Sequence, residues 1–171
     1  PLDQPANNHC GTCSACIDIC PTQAIVGPYQ LDARKCISYL TIENRKSIPV
    51  EMRKAIGNRI FGCDDCQTIC PWNKFAKRVK ERDFLPRSTL MDQPLEKLFL
   101  WSDNEWKKNT QETSLQRAGY SGWLRNIAVA LGNAESTEGI LSALKSRANE
   151  KSTMVKEHVM WALEQHKEKR N

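Results

Sequence analysis

The chain has 171 residues, 40% of them apolar and 26% charged, with a net charge of +5. This is the composition of an ordinary soluble protein of one or two small domains, with no apolar run long enough to span a membrane and no basic-then-apolar leader. Pro1, in a polar lead-in without an initiating methionine, reads as the start of an excised piece. The modest positive charge suits a nucleic acid or an acidic partner without establishing either.

All eight cysteines fall within the first 70 residues. The first four form the run Cys10-Gly11-Thr12-Cys13-Ser14-Ala15-Cys16-Ile17-Asp18-Ile19-Cys20-Pro21. Its x2, x2, x3-Pro spacing is that of bacterial [4Fe–4S] proteins, where the fourth cysteine serves the other cluster of a pair. A second motif is therefore required, and Cys63, Cys66 and Cys70-Pro71 supply it incompletely. Aligned on Cys-Pro, the partner of Cys10 would stand at Ile60, so one ligand is missing. Cys36 is the remaining cysteine. Counting assigns Cys10, Cys13, Cys16 and Cys70 to cluster 1, and Cys20, Cys36, Cys63 and Cys66 to cluster 2. Four disulfides or two zinc sites would also use eight cysteines. Close spacing favours a shared metal over cross-links, and the run is more specific than a pair of C-x2-C knuckles.

Between the motifs, Ala24 to Val26 and Tyr29 to Leu31 read as a hairpin about Gly27-Pro28. Asp32 is placed to cap a helix through Cys36 to about Ile42. Pro49 opens another helix over 51–58, weakened by Gly57, and Ile60-Phe61 reads as a short strand. Residues 1–73 thus form an α+β, two-cluster ferredoxin-like domain with a helical insertion carrying Cys36. Clusters link distant segments, so the apo form should be poorly folded.

Residues 74–109 read as a basic linker with short helices. Lys74, Lys77, Arg78, Lys80, Arg82 and Arg87 either touch RNA phosphates or are merely solvated, and Phe84, Leu85 and Pro86 pin the segment. A short helix over 94–100 and a capping box at Ser102-Asp103-Asn104-Glu105 follow. Residues 110–171 form an all-α, HEAT-like domain. Ser121 to Leu131 places Leu124, Ile127, Ala128 and Leu131 on one face and stops at Gly132-Asn133. Ile140, Leu141 and Leu144 mark a second helix. Ser152 or Thr153 caps a third, with Val155, Val159, Ala162 and Leu163 buried. Trp123 and Trp161 read as core or as stacking platforms for bases. His9 reads as a loop residue.

Three stretches go beyond a generic ferredoxin. They are Cys36-Ile37-Ser38-Tyr39-Leu40-Thr41-Ile42-Glu43, the block from Gly57 through Cys63-Asp64-Asp65-Cys66-Gln67-Thr68-Ile69-Cys70 to Asn73, and Trp123 through Asn133. Together they resemble the epoxyqueuosine reductases, and the resemblance spans nearly the whole chain. It implies two [4Fe–4S] clusters passing electrons to a cobalamin, whose catalytic domain would precede this chain. It further implies reduction of epoxyqueuosine in the anticodon loop of tRNAs with a GUN anticodon, by a cytoplasmic, monomeric enzyme served by an external electron donor. No catalytic acid is placed in this chain.

On that resemblance Ser38 and Asp64 are cobalamin-contact candidates beside Tyr39 and Asp65. Capping or solvation is the plainer role for the aspartates, and burial for Tyr39. Arg117, Arg125 and Asn126 are candidates to face RNA. Gln116 stands where the family usually has a first arginine of a pair. A stand-alone ferredoxin with a helical docking domain, or a corrinoid-dependent dehalogenase-like reductase, are the alternatives.

Overall fold

The computed structural model describes residues 3–5, 7–77, 79–81 and 90–169. Arg78, Arg82, Phe84, Leu85, Pro86 and Arg87, assigned above to the linker, lie outside the described residues.

The cysteine-rich half is built from very short pieces. Helix α1 (Ala15–Ile19) follows the first two cysteines, carries the third, Cys16, and buries none of its own residues. Strands β1 (Ile25–Gly27) and β2 (Gln30–Leu31) pair antiparallel, Ile25 opposite Leu31 and Gly27 opposite Gln30. The hairpin therefore arrives one residue later than expected, with its turn at Pro28-Tyr29. Tyr29 holds a left-handed backbone (φ 59°), unusual for a bulky residue. Its hydroxyl compensates by donating to Asn8 Oδ1 (2.6 Å) and accepting from the His9 and Cys10 N–H groups (3.2 and 3.3 Å). The hairpin tip thus ties down the chain that enters the first cysteine.

The helix expected through Cys36 is broken. Asp32 does cap, accepting from the Arg34 N–H (3.1 Å), but its turn ends at Lys35. Cys36 is extended, and a π-helical turn covers Tyr39–Glu43. Thr41 supplies a cause. Its hydroxyl donates to the Ile37 carbonyl (2.7 Å) and accepts from the Gly62 N–H (2.9 Å), so the turn is shaped from outside its own ladder. Helix α2 (Val50–Ile56) starts after Pro49 and ends at Gly57, whose φ of 63° suits glycine. Ile60-Phe61 is a bend and not a strand. The Ile60 carbonyl accepts from the Asn126 side chain (2.9 Å), where a strand would have offered a backbone partner. Helix α3 (Asp65–Thr68) then precedes a 3₁₀ turn over Pro71–Phe75.

The helical half has the apolar core. Helix α4 (Leu95–Phe99) leads to α5 (Asp103–Thr110), which opens on the expected capping box of Ser102 and Glu105. After a 3₁₀ turn (Ser114–Ala118), α6 (Gly119–Asn133) runs through the centre, flanked by α7 (Glu138–Ser146) and α8 (Thr153–Glu168). Thr137 and Ser152 cap the last two, each accepting from an N–H three residues on. Phe99, Leu124, Ile127, Leu131, Leu144 and Val159 fill the core. Gly132 does not stop α6; it lies within it. A Cβ there would sit 2.6 Å from the Trp161 ring and 3.0 Å from Ala162. The missing side chain lets α6 and α8 approach, and the helix continues to Asn133.

A second apolar cluster joins the halves. Ile37, Leu40, Ile48 and Ile56, all between Cys36 and Cys63, pack with Val129 of α6.

Candidate metal centres

Two adjoining cavities of about 340 Å³ each divide the cysteines. Cys10, Cys13, Cys16 and Cys70 line the first, with His9, Trp72 and Phe75 at its mouth. Cys20, Cys36, Cys63 and Cys66 line the second, closed by Ala24, Ile25, Leu31 and Ile37. Cys10 and Cys16 touch both, so the cavities share a wall. The local folding explains the grouping. The Cys13 N–H donates to the Cys10 carbonyl (2.9 Å), winding the loop tightly around Gly11 (φ 53°). Cys20 and Cys70 end the turns begun by α1 and α3, and each is turned away by extended backbone before its proline.

The sulfurs sit in unequal fields. Burial acts to raise the Cys20 thiol, but hydrogen bonds from the Ala24 N–H (3.3 Å), Thr22 and the Ile25 backbone outweigh it and hold the thiol below its ordinary value. Burial raises Cys63; the Asp65 backbone N–H acts against it, and the Asp65 carboxylate with it. Burial also raises Cys66, followed by the nearby Cys63, Cys36 and Cys16 sulfurs. Crowded thiols in apolar cavities resist ionisation unless a cation neutralises them, and that is the setting a thiolate-bound metal provides. Among the described residues, no group of three or more Cys, His, Asp or Glu side chains is gathered as a single ion requires. The wider spread of sulfurs around each cavity fits a polynuclear core.

Ser38 and Asp64 flank the second cavity through Cys63. The Ser38 hydroxyl donates to the Cys63 carbonyl (3.2 Å) and accepts from the Cys63 N–H (3.0 Å). Its donor is taken and one acceptor site remains. Asp64 is exposed and accepts from Gln67 (2.8 Å), whereas Asp65 is paired to Arg59 (2.5 Å). Tyr39 is 42% exposed, so the expectation of burial fails for it.

The expected RNA-facing residues separate. Arg117 is exposed and paired with Glu43. It lines an open groove of about 950 Å³ with Arg45, Gln116, Tyr120 and Lys151, and with Asp103 as the acidic member. Arg125 departs from the expectation: it is 1% exposed. Its guanidinium donates to the carbonyls of Leu40, Asn44 and Lys46 (2.7 Å each) and to Asn126 Oδ1 (3.0 and 2.9 Å). Asn126, equally buried, donates to the Thr41 and Ile60 carbonyls (2.7 and 2.9 Å). Burial, with Arg45 nearby, lowers the Arg125 pKa to about 10, so it remains charged. Trp123 is core: its indole N–H donates to the Leu98 carbonyl (3.3 Å) and its ring stacks on Trp101. Trp161 is partly buried under the Arg53 guanidinium.

Sequence reasoning missed several supports of the second cavity. Asn133 donates to the Arg53 and Gly57 carbonyls (2.8 and 2.9 Å). Arg53 donates to the Ile48 carbonyl (2.9 Å) and pairs with Glu157. His158 Nε2 accepts from the Ile48 N–H (3.1 Å). A signal existed: Asn126 and Asn133 stand seven apart, hence on one face of an otherwise apolar helix.

The comparisons with known proteins follow this geometry. A family model for a 4Fe-4S double cluster binding domain matches residues 9–73. The epoxyqueuosine reductase of Xanthomonas campestris pv. campestris is 58% identical over 166 residues, 97% of this chain and 47% of that protein. The structure of epoxyqueuosine reductase from Streptococcus thermophilus superposes with a TM-score of 0.82 at 25% identity, over 98% of this chain and 44% of that one. An epoxyqueuosine reductase crystallised with an epoxyqueuosine-modified tRNA-Tyr stem loop matches with a TM-score of 0.67 at 26% identity, over 98% of this chain and 53% of that one.

Residues 9–73, which line both cavities, thus match a double-cluster 4Fe-4S binding domain. Within that class the chain belongs with the epoxyqueuosine reductases in sequence and in fold, and it spans about half the length of the curated relatives it matches.

Proposed function

We propose that this chain is the electron-transfer and tRNA-binding part of an epoxyqueuosine reductase. Cys10, Cys13, Cys16 and Cys70 would hold one [4Fe–4S] cluster, and Cys20, Cys36, Cys63 and Cys66 the other. The observation that supports this reading is that all eight cysteines line two adjoining cavities, Cys13 and Cys70 only the first, Cys20, Cys36, Cys63 and Cys66 only the second, and Cys10 and Cys16 both. When bound, the clusters supply one-electron transfer, and a cobalamin, held mainly by the remainder of the longer protein, supplies the two-electron chemistry. The overall reaction gives the epoxide two electrons and two protons, releases its oxygen as water and leaves a carbon–carbon double bond.

This chain's residues have three tasks in that reading. The cysteines would hold the two clusters side by side, in cavities that share a wall. Ser38 and Asp64 offer acceptors beside Cys63, suited to the amide N–H groups on a corrin rim. Arg45, Arg117 and Lys151 offer cations to anticodon-stem phosphates, in a groove whose size admits a nucleic-acid backbone. The helical half is read as HEAT-like, a scaffold for that groove, and the protein as a cytoplasmic monomer.

Cys36→Ala tests the ligand set: iron should fall from about eight to about four per chain. Full retention would overturn the assignment of Cys36. The cluster-loaded chain should shift tRNA with a GUN anticodon at low salt, and Arg45→Glu with Arg117→Glu should abolish the shift. Turnover by the full-length protein, given cobalamin and reductant, tests the activity, and its absence would sink the reading.

A further inference from the structure

The first cavity opens onto a face that the proposed function does not use. Trp72 is 51% and Phe75 64% exposed, and their rings lie 5.7 Å apart. The His9 ring packs on Trp72 at 4.9 Å, and the Trp72 indole N–H donates to the His9 carbonyl (3.3 Å). Three rings thus form a fixed patch at the mouth of the Cys10, Cys13, Cys16 and Cys70 cavity, and Cys13 itself is exposed. Exposed rings in contact are uncommon on a surface without a partner. The border is positive. Lys74 lies over the Phe75 ring at 4.9 Å, and exposed Lys77 and Lys80 follow within a few residues. The nearby acids are Asp18, hydrogen-bonded to Ser14, and Glu81.

We propose that this aromatic patch with its lysine border is where a small acidic protein carrying a surface flavin docks and delivers electrons. The inference rests on the proposed reading of the first cavity as a cluster site. Charge complementarity selects the partner's sign, and the flat rings suit the edge of an isoalloxazine. In each encounter one electron leaves the anionic flavin hydroquinone, which becomes the neutral semiquinone without losing a proton. The electron reduces the cluster on Cys10, Cys13, Cys16 and Cys70 by one unit of charge.

The test uses the cluster-loaded chain with an acidic flavodoxin. Binding of oxidised flavodoxin is measured by calorimetry across a salt series, and visible bleaching by flavodoxin hydroquinone is followed by stopped flow. Lys74→Glu with Lys77→Glu should weaken binding and slow the second-order bleaching about tenfold, and should remove most of its salt dependence. Reversal of two remote charges, Lys145→Glu with Lys156→Glu, should leave both within twofold. Trp72→Ala should slow bleaching at unchanged iron content. If the border reversal changes neither binding nor rate, the docking site is wrong, and the face belongs to the remainder of the longer protein. Binding of an acidic iron–sulfur carrier but not of flavodoxin would overturn the flavin partner. A chain that takes up no iron would instead overturn the reading beneath it.

Discussion

The segment from Cys10 to Lys35 and the helix α6 are opposite solutions to the problem of holding a shape. In the first, Thr22 and Ala24 are buried, whereas α1 buries none of its own residues and the hairpin leaves Val26, Tyr29 and Leu31 exposed. In α6 every residue from Gly122 to Gly132 is buried. Apolar burial stabilises by roughly 25 cal/mol per Å², so α6 can be held by packing and the cysteine loop cannot. The lesson is that cofactor and core divide the molecule. The division does not fall between the motifs and the helices, because residues 37–60 lie between Cys36 and Cys63 yet pack against and hydrogen-bond to α6.

The sharpest way to break this contrast is to remove iron. Hydrogen exchange on the apo chain should show residues 9–35 fully unprotected while α6 and α8 keep their protection. Equal loss in both would mean that the core also depends on the clusters. The next effect comes from Arg125→Met, which strips the donor from the buried Leu40 carbonyl and from the part-buried Asn44 and Lys46 carbonyls. Denaturant unfolding should show a loss of about 3–5 kcal/mol. The second cluster should be lost before the first, read as a stepwise release of iron.

Acid acts on the same seam. Burial lowers the His158 pKa from 6.5 to about 4. Its neutral form accepts from Ile48, and Nδ1–H donates to the Met154 carbonyl. The folded state binds the proton more weakly than the unfolded one. Stability is therefore fully present above pH 6.5 and falls between 6.5 and about 4, by at most about 3 kcal/mol. His158→Gln should flatten that slope in a pH series of thermal melts. The smallest expected effect is at Gly132. An added methyl must displace Trp161 or Ala162, so Gly132→Ala should cost about 1–3 kcal/mol by overpacking. It should leave the cysteine loop's exchange unchanged.

The sequence was most legible where local chemistry decides. Cysteine spacing pointed to a double-cluster domain, and the family model over residues 9–73 agrees. Ser102 and Ser152 cap because a hydroxyl three residues before an N–H needs no distant help. It was least legible where a distant group takes over a local one. The strand at Ile60-Phe61 failed because Asn126 claims the carbonyl, and the helix after Asp32 broke while Thr41 tied the next turn to Gly62. The stop read at Gly132-Asn133 agrees with the end of α6 at Asn133, but the reason for a glycine there, the close approach of Trp161, was not legible. Arg125 was a candidate to face RNA on the family resemblance, yet it is buried. Its carbonyl partners lie some eighty residues earlier, beyond the reach of any spacing rule.

Those partners have a consequence for how the protein can vary. Arg125, Asn126 and Asn133 grip main-chain carbonyls, which every amino acid carries. Side chains at Asn44 and Lys46 can therefore drift, provided the backbone shape is kept, without releasing the grip. The three gripping residues have no such freedom. Among relatives, substitutions should accumulate on the held segment and be scarce on the α6 face that holds it.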